Sequence, residues 1–316
     1  MPGKKNTPPR PLVGLIGLGL MGLALADRLH RAGFAVVGWD IAPKARAAFK
    51  KQGGLSSDGA AQVFQQCDRI LLTLPDSHVV ATVLHEVRRV IHPGHVILDT
   101  STGDPQAAVQ LAAFLAPAGA RYLDATISGS SEQVSRGEVL VMAGGSKSAY
   151  NLCTDLFRSF ARQTIHTGPC GSGAQMKLVT NLVLGLNRAA LAEGLNFAGA
   201  LKLNGRKTLA ILRASMAYSR IMDTKGEKML RRDFKPQARL SQHLKDVRLM
   251  IAAARQTGAR LPLSETHRRI LETAEAAGLG QLDNSAIIRV NGAATPDSAH
   301  PSQRPRPRSN GTVRSA

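Results

Sequence analysis

The chain has 316 residues, of which 43% are hydrophobic and 20% are charged, and its formal net charge is +19. This is the composition of a globular protein of about two domains, and it excludes a wholly disordered or fibrous chain. Aromatic residues make up only 4%, which argues against a surface built to stack nucleic-acid bases. The positive charge favours anionic partners. We expect small anionic metabolites, and nucleic acid is the less favoured alternative.

The two ends of the chain differ from its body. Residues 1–10 and 292–316 are rich in Pro, Arg, Ser and Gly and lack apolar periodicity, so we expect two disordered tails, the second of them basic. The three cysteines, Cys67, Cys153 and Cys170, are widely spaced, and their odd number argues against a disulfide scaffold. No cysteines and histidines have the spacing of zinc ligands, so no metal site is predicted. These features predict a cytoplasmic protein.

The first apolar segment has two interpretations. A basic start precedes an apolar run from Leu12 to Ala26, which is typical of a secretory signal peptide but too short for a membrane span. Four glycines interrupt the run, however, and three of them have an ordered spacing that a signal peptide does not need. We therefore favour a strand, a glycine turn and the start of a helix, and we expect no association with a membrane.

Short apolar runs alternate with helical stretches as far as about residue 165. The predicted strands are Leu12–Ile16, Ala35–Trp39, Arg69–Leu74, His95–Leu98, Arg121–Leu123 and Glu138–Ala143. Such alternation predicts a parallel sheet covered by helices on both faces. Beyond residue 168 the pattern is helical, with helices predicted over 173–200, 206–218, 240–257, 262–277 and 283–290. We predict an α/β domain over residues 11–167, followed by an all-α domain over residues 168–291 that binds substrate and forms a dimer.

The glycine turn carries a ligand-binding pattern. Residues 17–22 read Gly-Leu-Gly-Leu-Met-Gly between the first predicted strand and a helix. Gly17 permits the tight turn, Gly19 lets the backbone approach a pyrophosphate, and Gly22 lets helix and strand pack closely. The helix N-terminus offers free N–H groups to the phosphates. Asp40, at the end of the second strand, is placed to bind ribose hydroxyls, so the pattern predicts a Rossmann-type domain for NAD. Basic residues just beyond Asp40 keep NADP as an alternative.

Further segments are similar to those of the β-hydroxyacid dehydrogenase family, which includes 3-hydroxyisobutyrate dehydrogenase and tartronate semialdehyde reductase. The similarity spans about residues 11–290. Its motifs are the glycine turn with Met21, Leu74-Pro75, Asp99–Pro105, Asp124–Ser130, Gly137–Gly145, Gly171–Asn181 and Lys245-Asp246. Three residues depart from the family pattern: Thr126 stands for a proline, Ser130 for a glycine and Thr180 for an asparagine. These three residues lie near the expected substrate. They therefore affect the prediction of the substrate more than the prediction of the reaction.

The resemblance implies a role for each matching residue. The implied cofactor-binding residues are Gly17, Leu18, Gly19, Leu20, Met21, Gly22, Asp40, Leu74, Pro75, Thr102 and Lys245. Ser128, Gly129 and Ser130 are implied to bind a substrate carboxylate, and Lys177 and Asn181 are the implied catalytic pair.

Lys177 has an unusual setting for a lysine. Met176, Leu178, Val179 and Leu182 surround it in the sequence, whereas most helical lysines lie among polar residues. A buried lysine gives up its proton more easily, so it can act as a general acid or base near neutral pH. Asn181, four residues on, shares its helix face and is placed to orient the lysine or a substrate hydroxyl.

Together these features predict an NAD-dependent oxidoreductase that transfers a hydride between the cofactor and a small 3-hydroxy acid or semialdehyde, similar to 3-hydroxyisobutyrate. The apolar 173–200 helix predicts a homodimer or homotetramer. One alternative is a glyoxylate or succinic semialdehyde reductase that uses NADPH. Another is a catalytically silent NAD-binding protein with affinity for nucleic acid, although a silent protein has no need of both Lys177 and Asn181. An imine reductase is disfavoured because the imine reductases that resemble this family usually have another residue in place of Lys177.

Overall fold

The computed structural model describes residues 11–290, so both predicted tails lie outside the described residues. Within this range, eight strands form one sheet in the order β3-β2-β1-β4-β5-β6-β7-β8. The strands are β1 (Leu12–Ile16), β2 (Ala35–Trp39), β3 (Leu55–Ser56), β4 (Arg69–Leu72), β5 (Val96–Asp99), β6 (Arg121–Ser128), β7 (Val139–Gly144) and β8 (Ala161–Gly168). The predicted α/β fold, a Rossmann-type sheet followed by helices, is confirmed.

The sheet is parallel except at one pair of strands. Strand β7 runs antiparallel to β6, with Ser128 paired to Leu140, so the expectation of a wholly parallel sheet is wrong at this point. Only residues 129–138 separate the two strands, whereas a parallel crossover takes a dozen or more residues. Strand β8 returns to the parallel direction beside β7.

Helices cover both faces of the sheet. They are α1 (Leu20–Arg31), α2 (Pro43–Lys51), α3 (Ala60–Gln66), α4 (Ser77–Glu86), α5 (Pro105–Leu115), α6 (Ser131–Ser135), α7 (Lys147–Leu152) and α8 (Thr154–Phe160). One apolar core includes Leu25 and Phe157, and a second core, across the sheet, includes Phe64 and Val80. The central strands are therefore buried on both sides, which explains why they read as continuous apolar runs.

The rest of the described chain is helical. Its helices are α9 (Ser172–Ala200), α10 (Gly205–Ala214), α11 (Ile221–Arg231), α12 (Leu240–Thr257) and α13 (Pro262–Ala274), followed by a 3-10 segment over Asn284–Arg289. Their shared core joins Leu191 and Leu195 of α9 to Leu244 of α12 and Leu271 of α13. No helix within residues 11–290 combines the length and the apolar composition needed to cross a membrane.

The start of α9 is fixed to the sheet by Asp124 of β6. Its carboxylate accepts hydrogen bonds from the backbone N–H groups of Gly171 (2.8 Å) and Ala174 (2.7 Å). Thr126 adds a bond from its hydroxyl to the carbonyl of Gly173 (3.0 Å), so this departure from the family pattern helps to seat the helix. A carboxylate at a helix N-terminus also meets the positive end of the helix dipole. The first turns of α9, including Lys177, are thereby held over the carboxyl end of β6.

Candidate active site

The glycine turn has the geometry that a dinucleotide needs. Gly17 has φ +94°, and a Cβ there would overlap the carbonyl oxygen of Thr73. A Cβ on Gly22 would overlap the carbonyl of Gly17, whereas one on Gly19 would meet no atom within 4 Å. Gly19 is the N-cap of α1; no side chain of the described residues caps the helix N-terminus there, and the space beside Gly19 is open. This site fits a pyrophosphate, which accepts hydrogen bonds from the N–H groups of a helix N-terminus.

Asp40 organises the edge of that turn. One oxygen of its carboxylate accepts the N–H of Leu18 at 2.7 Å, and the other accepts the N–H of Ala42 at 2.8 Å. Arg46 lies with its guanidinium carbon 4.5 Å from the centre of the Trp39 ring and donates to the Asp40 carbonyl at 2.6 Å. The Arg46 cation thus already contacts the Trp39 ring and the backbone at the end of β2. The Asp40 carboxylate remains half-buried beside the glycine turn.

Lys245 connects the helical part to the loops of the sheet. Its ammonium, on α12, donates to the carbonyls of Pro75 (3.0 Å) and Thr102 (2.8 Å). Leu74 is held in the same loop by a bond from its N–H to the Ser101 hydroxyl at 2.9 Å. Three of the cofactor residues predicted from the sequence, Pro75, Thr102 and Lys245, therefore meet at one place. Lys245 thus connects α12 by hydrogen bonds to the loops that follow β4 and β5.

Lys177 lies buried where α9 crosses the end of β6. Its ammonium donates to the carbonyl of Ile127 at 2.6 Å. Burial lowers the pKa of Lys177 from 10.5 to about 8, and the nearby Asp246 carboxylate opposes this shift. The amide of Asn181 donates to Asp246 at 3.1 Å, and the Lys245 ammonium lies 3.5 Å from its other oxygen. Asp246 thus links the three residues that the sequence singled out.

The predicted carboxylate-binding segment follows β6. Gly129 has φ +152°, and a Cβ there would lie 2.5 Å from a methyl group of Val139, so the position needs glycine. Ser130 is the N-cap of α6: its hydroxyl accepts the N–H of Gln133 (3.3 Å), and its own N–H donates to the Gln133 side chain (2.9 Å). Sequence reasoning missed this role, although Ser-x-x-Gln is the pattern of a capping box.

A cleft of about 640 Å³ lies beside Lys177 and the Ser128–Ser130 segment, and the glycine turn and Asp40 are not among its lining residues. Its lining includes Thr102, Ser128, Gly129, Ser130, Lys177, Asn181 and Asp246. The structure therefore brings together the predicted catalytic and carboxylate-binding residues, with Thr102 as the predicted cofactor residue that borders them. Six further basic residues line the cleft, and sequence reasoning assigned none of them a role: Arg136, Arg162, Arg188, Arg220, Lys225 and Arg239.

One cluster of potential metal ligands lies within residues 11–290. Asp68, His92 and His95 have ligand atoms within 4.8 Å of one another, near the starts of β4 and β5. Both ring nitrogens of His95 are already hydrogen-bonded, one to the Phe64 carbonyl (2.8 Å) and the other to the His92 N–H (3.1 Å). These bonds hold the loop before β5, and the cluster is separate from the cleft.

The glycine turn at the end of β1 and the buried lysine at the end of β6 define a nucleotide-dependent oxidoreductase of two structural parts. Residues 12–168 match the NAD-binding domain of 6-phosphogluconate dehydrogenase. Residues 171–291 match the NAD-binding region of NADP-dependent 3-hydroxyisobutyrate dehydrogenase. The chain belongs to the β-hydroxyacid dehydrogenase family, as its motifs predicted, and NAD or NADP is its cofactor.

Relatives cover nearly all of the described chain. It is 30% identical to 2-(hydroxymethyl)glutarate dehydrogenase of Eubacterium barkeri over 282 residues, which are 88% of this chain and 94% of that protein. It is also 30% identical to 2-hydroxy-3-oxopropionate reductase of Escherichia coli K12 over 281 residues, 88% of this chain and 96% of that one. The human cytokine-like nuclear factor N-PAC is 28% identical, and the match covers 90% of this chain but 52% of N-PAC. The structure of Mycobacterium tuberculosis 3-hydroxyisobutyrate dehydrogenase with L-serine aligns with a TM-score of 0.83 at 26% identity, over 90% of this chain and all of that one.

Proposed function

We propose that this protein is an NAD-dependent dehydrogenase of a small 3-hydroxy acid, or a reductase of the matching semialdehyde, with Lys177 as general acid and base. The observation that carries the proposal is the position of Lys177. It is buried, its pKa is lowered to about 8, and it shares one cleft with the Ser128–Ser130 segment. A substrate carboxylate held at that segment would place a nearby hydroxyl within reach of the lysine.

The proton chemistry follows from the bonds that Lys177 already makes. A neutral amine has two hydrogens and one lone pair. One hydrogen is given to the Ile127 carbonyl, so the lone pair is left to accept the proton of a substrate hydroxyl. In the reductive direction, the ammonium donates that proton to the developing alkoxide. The nicotinamide of the cofactor, when bound, would supply or accept the hydride.

Asn181 and Asp246 position the lysine and the substrate. Asn181 uses one amide hydrogen on Asp246, so its second hydrogen and its oxygen are left to bind the substrate hydroxyl. The negative charge of Asp246 stabilises the ammonium form of Lys177 and keeps its pKa from falling further. Asp246 is therefore a positioning and tuning residue.

The carboxylate site has a limited set of donors. The N–H of Ser130 is already bonded to Gln133, so it is not free for a substrate. The N–H of Gly129 and the hydroxyls of Ser128 and Ser130 are left as donors, because a hydroxyl that accepts a cap bond keeps its own hydrogen. These groups are suited to one carboxylate.

Asp40 supports NAD as the preferred cofactor. Its carboxylate lies beside the glycine turn, where the 2′-phosphate of NADP would meet a like charge. Arg46, one of the basic residues just beyond Asp40, is engaged with Trp39 and the backbone. The two bacterial relatives are named for different substrates, one a dicarboxylic acid and the other a monocarboxylic acid. Their names therefore do not decide how many carboxylates the substrate of this protein has.

The test is turnover of NAD and NADP with a panel of hydroxy acids, and of NADH and NADPH with semialdehydes, glyoxylate included. We expect NAD-linked turnover of a 3-hydroxy acid in the wild type and a severe loss in Lys177→Ala. Lys207→Ala, which removes an exposed lysine of α10, is the matched control. A preference for NADPH with glyoxylate or succinic semialdehyde would favour the alternative reductase. Tight NAD binding without turnover, together with salt-sensitive binding of nucleic acid, would favour the catalytically silent protein.

A further inference from the structure

Arg188 is a buried cation to which the proposed mechanism gives no role. It lies on α9, eleven residues after Lys177, which is about three helical turns, so both side chains are on the same face of the helix. Arg188 is 2% exposed and lines the cleft. Its Nε and Nη1 atoms are inaccessible to solvent and have no hydrogen-bond partner among residues 11–290.

Burial without a partner is costly for a guanidinium, because water no longer solvates the charge. Burial lowers the pKa of Arg188 to about 10, and Asp283 and Asp246 partly oppose that shift, so the side chain is still a cation at neutral pH. The residue therefore keeps a full positive charge inside the protein.

The two nearby carboxylates make their hydrogen bonds to groups other than Arg188. Asp283 binds the Lys225 ammonium with both oxygens at 2.9 Å and also accepts the Ser285 hydroxyl at 2.7 Å. Asp246 accepts the Asn181 amide through one oxygen, and its other oxygen lies 3.5 Å from the Lys245 ammonium without a hydrogen-bond partner among the described residues. Neither carboxylate is in hydrogen-bond contact with Arg188.

The remaining neighbours do not neutralise the charge. Burial lowers the pKa of His243 well below its usual value and that of His267 to about 4, so both rings are neutral near pH 7. Arg220 and Arg239, which are exposed, line the same cleft and add positive charge. The other carboxylates of the lining are paired with arginines, Glu132 and Glu138 with Arg136 and Asp223 with Arg213. The surroundings of Arg188 thus favour an anion that enters through the cleft.

We propose that Arg188 binds a second carboxylate of the substrate, which makes the substrate a hydroxy dicarboxylic acid. This inference rests on the proposed function, in which the first carboxylate binds at residues 128–130. A guanidinium is a strong, charge-assisted hydrogen-bond donor to a carboxylate. The α-carbons of Lys177 and Arg188 are about 16 Å apart along the helix. The second carboxylate is therefore several carbons from the reacting hydroxyl, not adjacent to it.

The test compares 2-(hydroxymethyl) dicarboxylic acids of increasing chain length with the esters that mask only their distal carboxylate. In the wild type, we expect kcat/KM for the best diacid to exceed that of its ester by about 10- to 100-fold, which is the range for a charge-assisted hydrogen bond. In Arg188→Met this ratio should fall close to one, mainly through a higher KM for the diacid. Arg188→Lys should keep part of the preference. Arg206→Met, at an exposed position on α10, is the matched control.

A second readout does not depend on turnover. With NAD bound, simple dicarboxylates such as adipate should raise the melting temperature of the wild type more than their monomethyl esters do, and Arg188→Met should lose that difference. Without ligand, Arg188→Met should be at least as stable as the wild type, because the variant no longer buries an unpaired charge. A lower stability together with equal losses for diacid and ester would show a structural role and overturn the inference.

Two other outcomes would also overturn the inference that Arg188 binds a second substrate carboxylate. Equal turnover of diacid and ester by the wild type would refute the dicarboxylate while leaving the proposed dehydrogenase intact. A phosphate ester at the distal end that outperforms every diacid would show that the site is built for phosphate. If no acid is turned over, the proposed function fails, and the melting experiment with dicarboxylates still decides whether Arg188 binds them.

Discussion

Removal of the Asp246 charge should shift the pH dependence of the reaction towards acid. Burial brings the pKa of Lys177 from 10.5 to about 8. At pH 7 the neutral fraction of the amine therefore rises from about 0.03% to about 10%, a gain of about 300-fold. Oxidation of the hydroxy acid needs this neutral form, so its rate should rise tenfold per pH unit up to about 8 and then level off.

In Asp246→Asn the shape of the side chain is kept and its charge is lost. Asp246 stabilises the Lys177 ammonium, so without that charge the pKa of Lys177 should fall below its wild-type value. The oxidation plateau should begin at a lower pH, and reduction, which needs the ammonium, should decline from a lower pH. His243 is buried nearby with its own pKa lowered, and so it stays neutral throughout this range.

The assay is kcat against pH in both directions at saturating cofactor, for the wild type, Asp246→Asn and Glu227→Gln. Glu227 forms an exposed ion pair with Arg231 on α11 and is the control for loss of an acidic charge. A plateau that stays in place in Asp246→Asn, or that moves to higher pH, would refute the assignment of the titration to Lys177. Movement in Glu227→Gln of equal size would show an effect of net charge alone.

Three further predictions concern the cofactor, the cap and the assembly. Asp40→Ser should raise kcat/KM for NADP relative to NAD, since the repulsion of the 2′-phosphate is removed; an unchanged cofactor ratio would contradict this role. Ser130→Ala should lower the free energy of unfolding by about 0.5–2 kcal/mol, as for other N-caps, measured by denaturant titration against Ser131→Ala. Val183→Glu should dissociate a homodimer or homotetramer in sedimentation experiments, because Val179 and Val183 are 57% and 52% exposed on one face of α9. A wild type that sediments as a monomer at all concentrations would refute this last expectation.

The local sequence was sufficient to predict the limits of some strands and helices. Strands β1 and β2 begin and end at the predicted residues, and α12 spans the predicted 240–257, because apolar periodicity and flanking glycines mark their limits. Strand β8 was missed because it lies at the edge of the sheet and exposes much of its surface, so its sequence lacks an apolar run. Helix α11 was missed as well. Its buried Lys225 is paired with the distant Asp283, a partner that local periodicity cannot reveal.

The sequence predicted those site residues that local patterns mark, and it did not reveal the contacts between distant residues. Lys177 stood out because its neighbours in the sequence are apolar, and the glycine turn because its spacing is local. The bonds of Asp246 to Asn181 and of Lys245 to Pro75 and Thr102 join residues 65 or more positions apart. Arg188 gave no signal, since an arginine on a helix is usually exposed. Its burial depends on how α9, α12 and the following segments pack together.

The most direct test of the central claim is chemical rescue of Lys177→Ala. At saturating NAD and the best acid of the panel, we predict that kcat falls by about 10²- to 10⁴-fold while NAD affinity is retained. Small primary amines added to the solution should restore part of kcat, in proportion to their neutral fraction. If Lys177→Ala turns over at a rate close to that of the wild type, Lys177 does not move the proton and the account is contradicted.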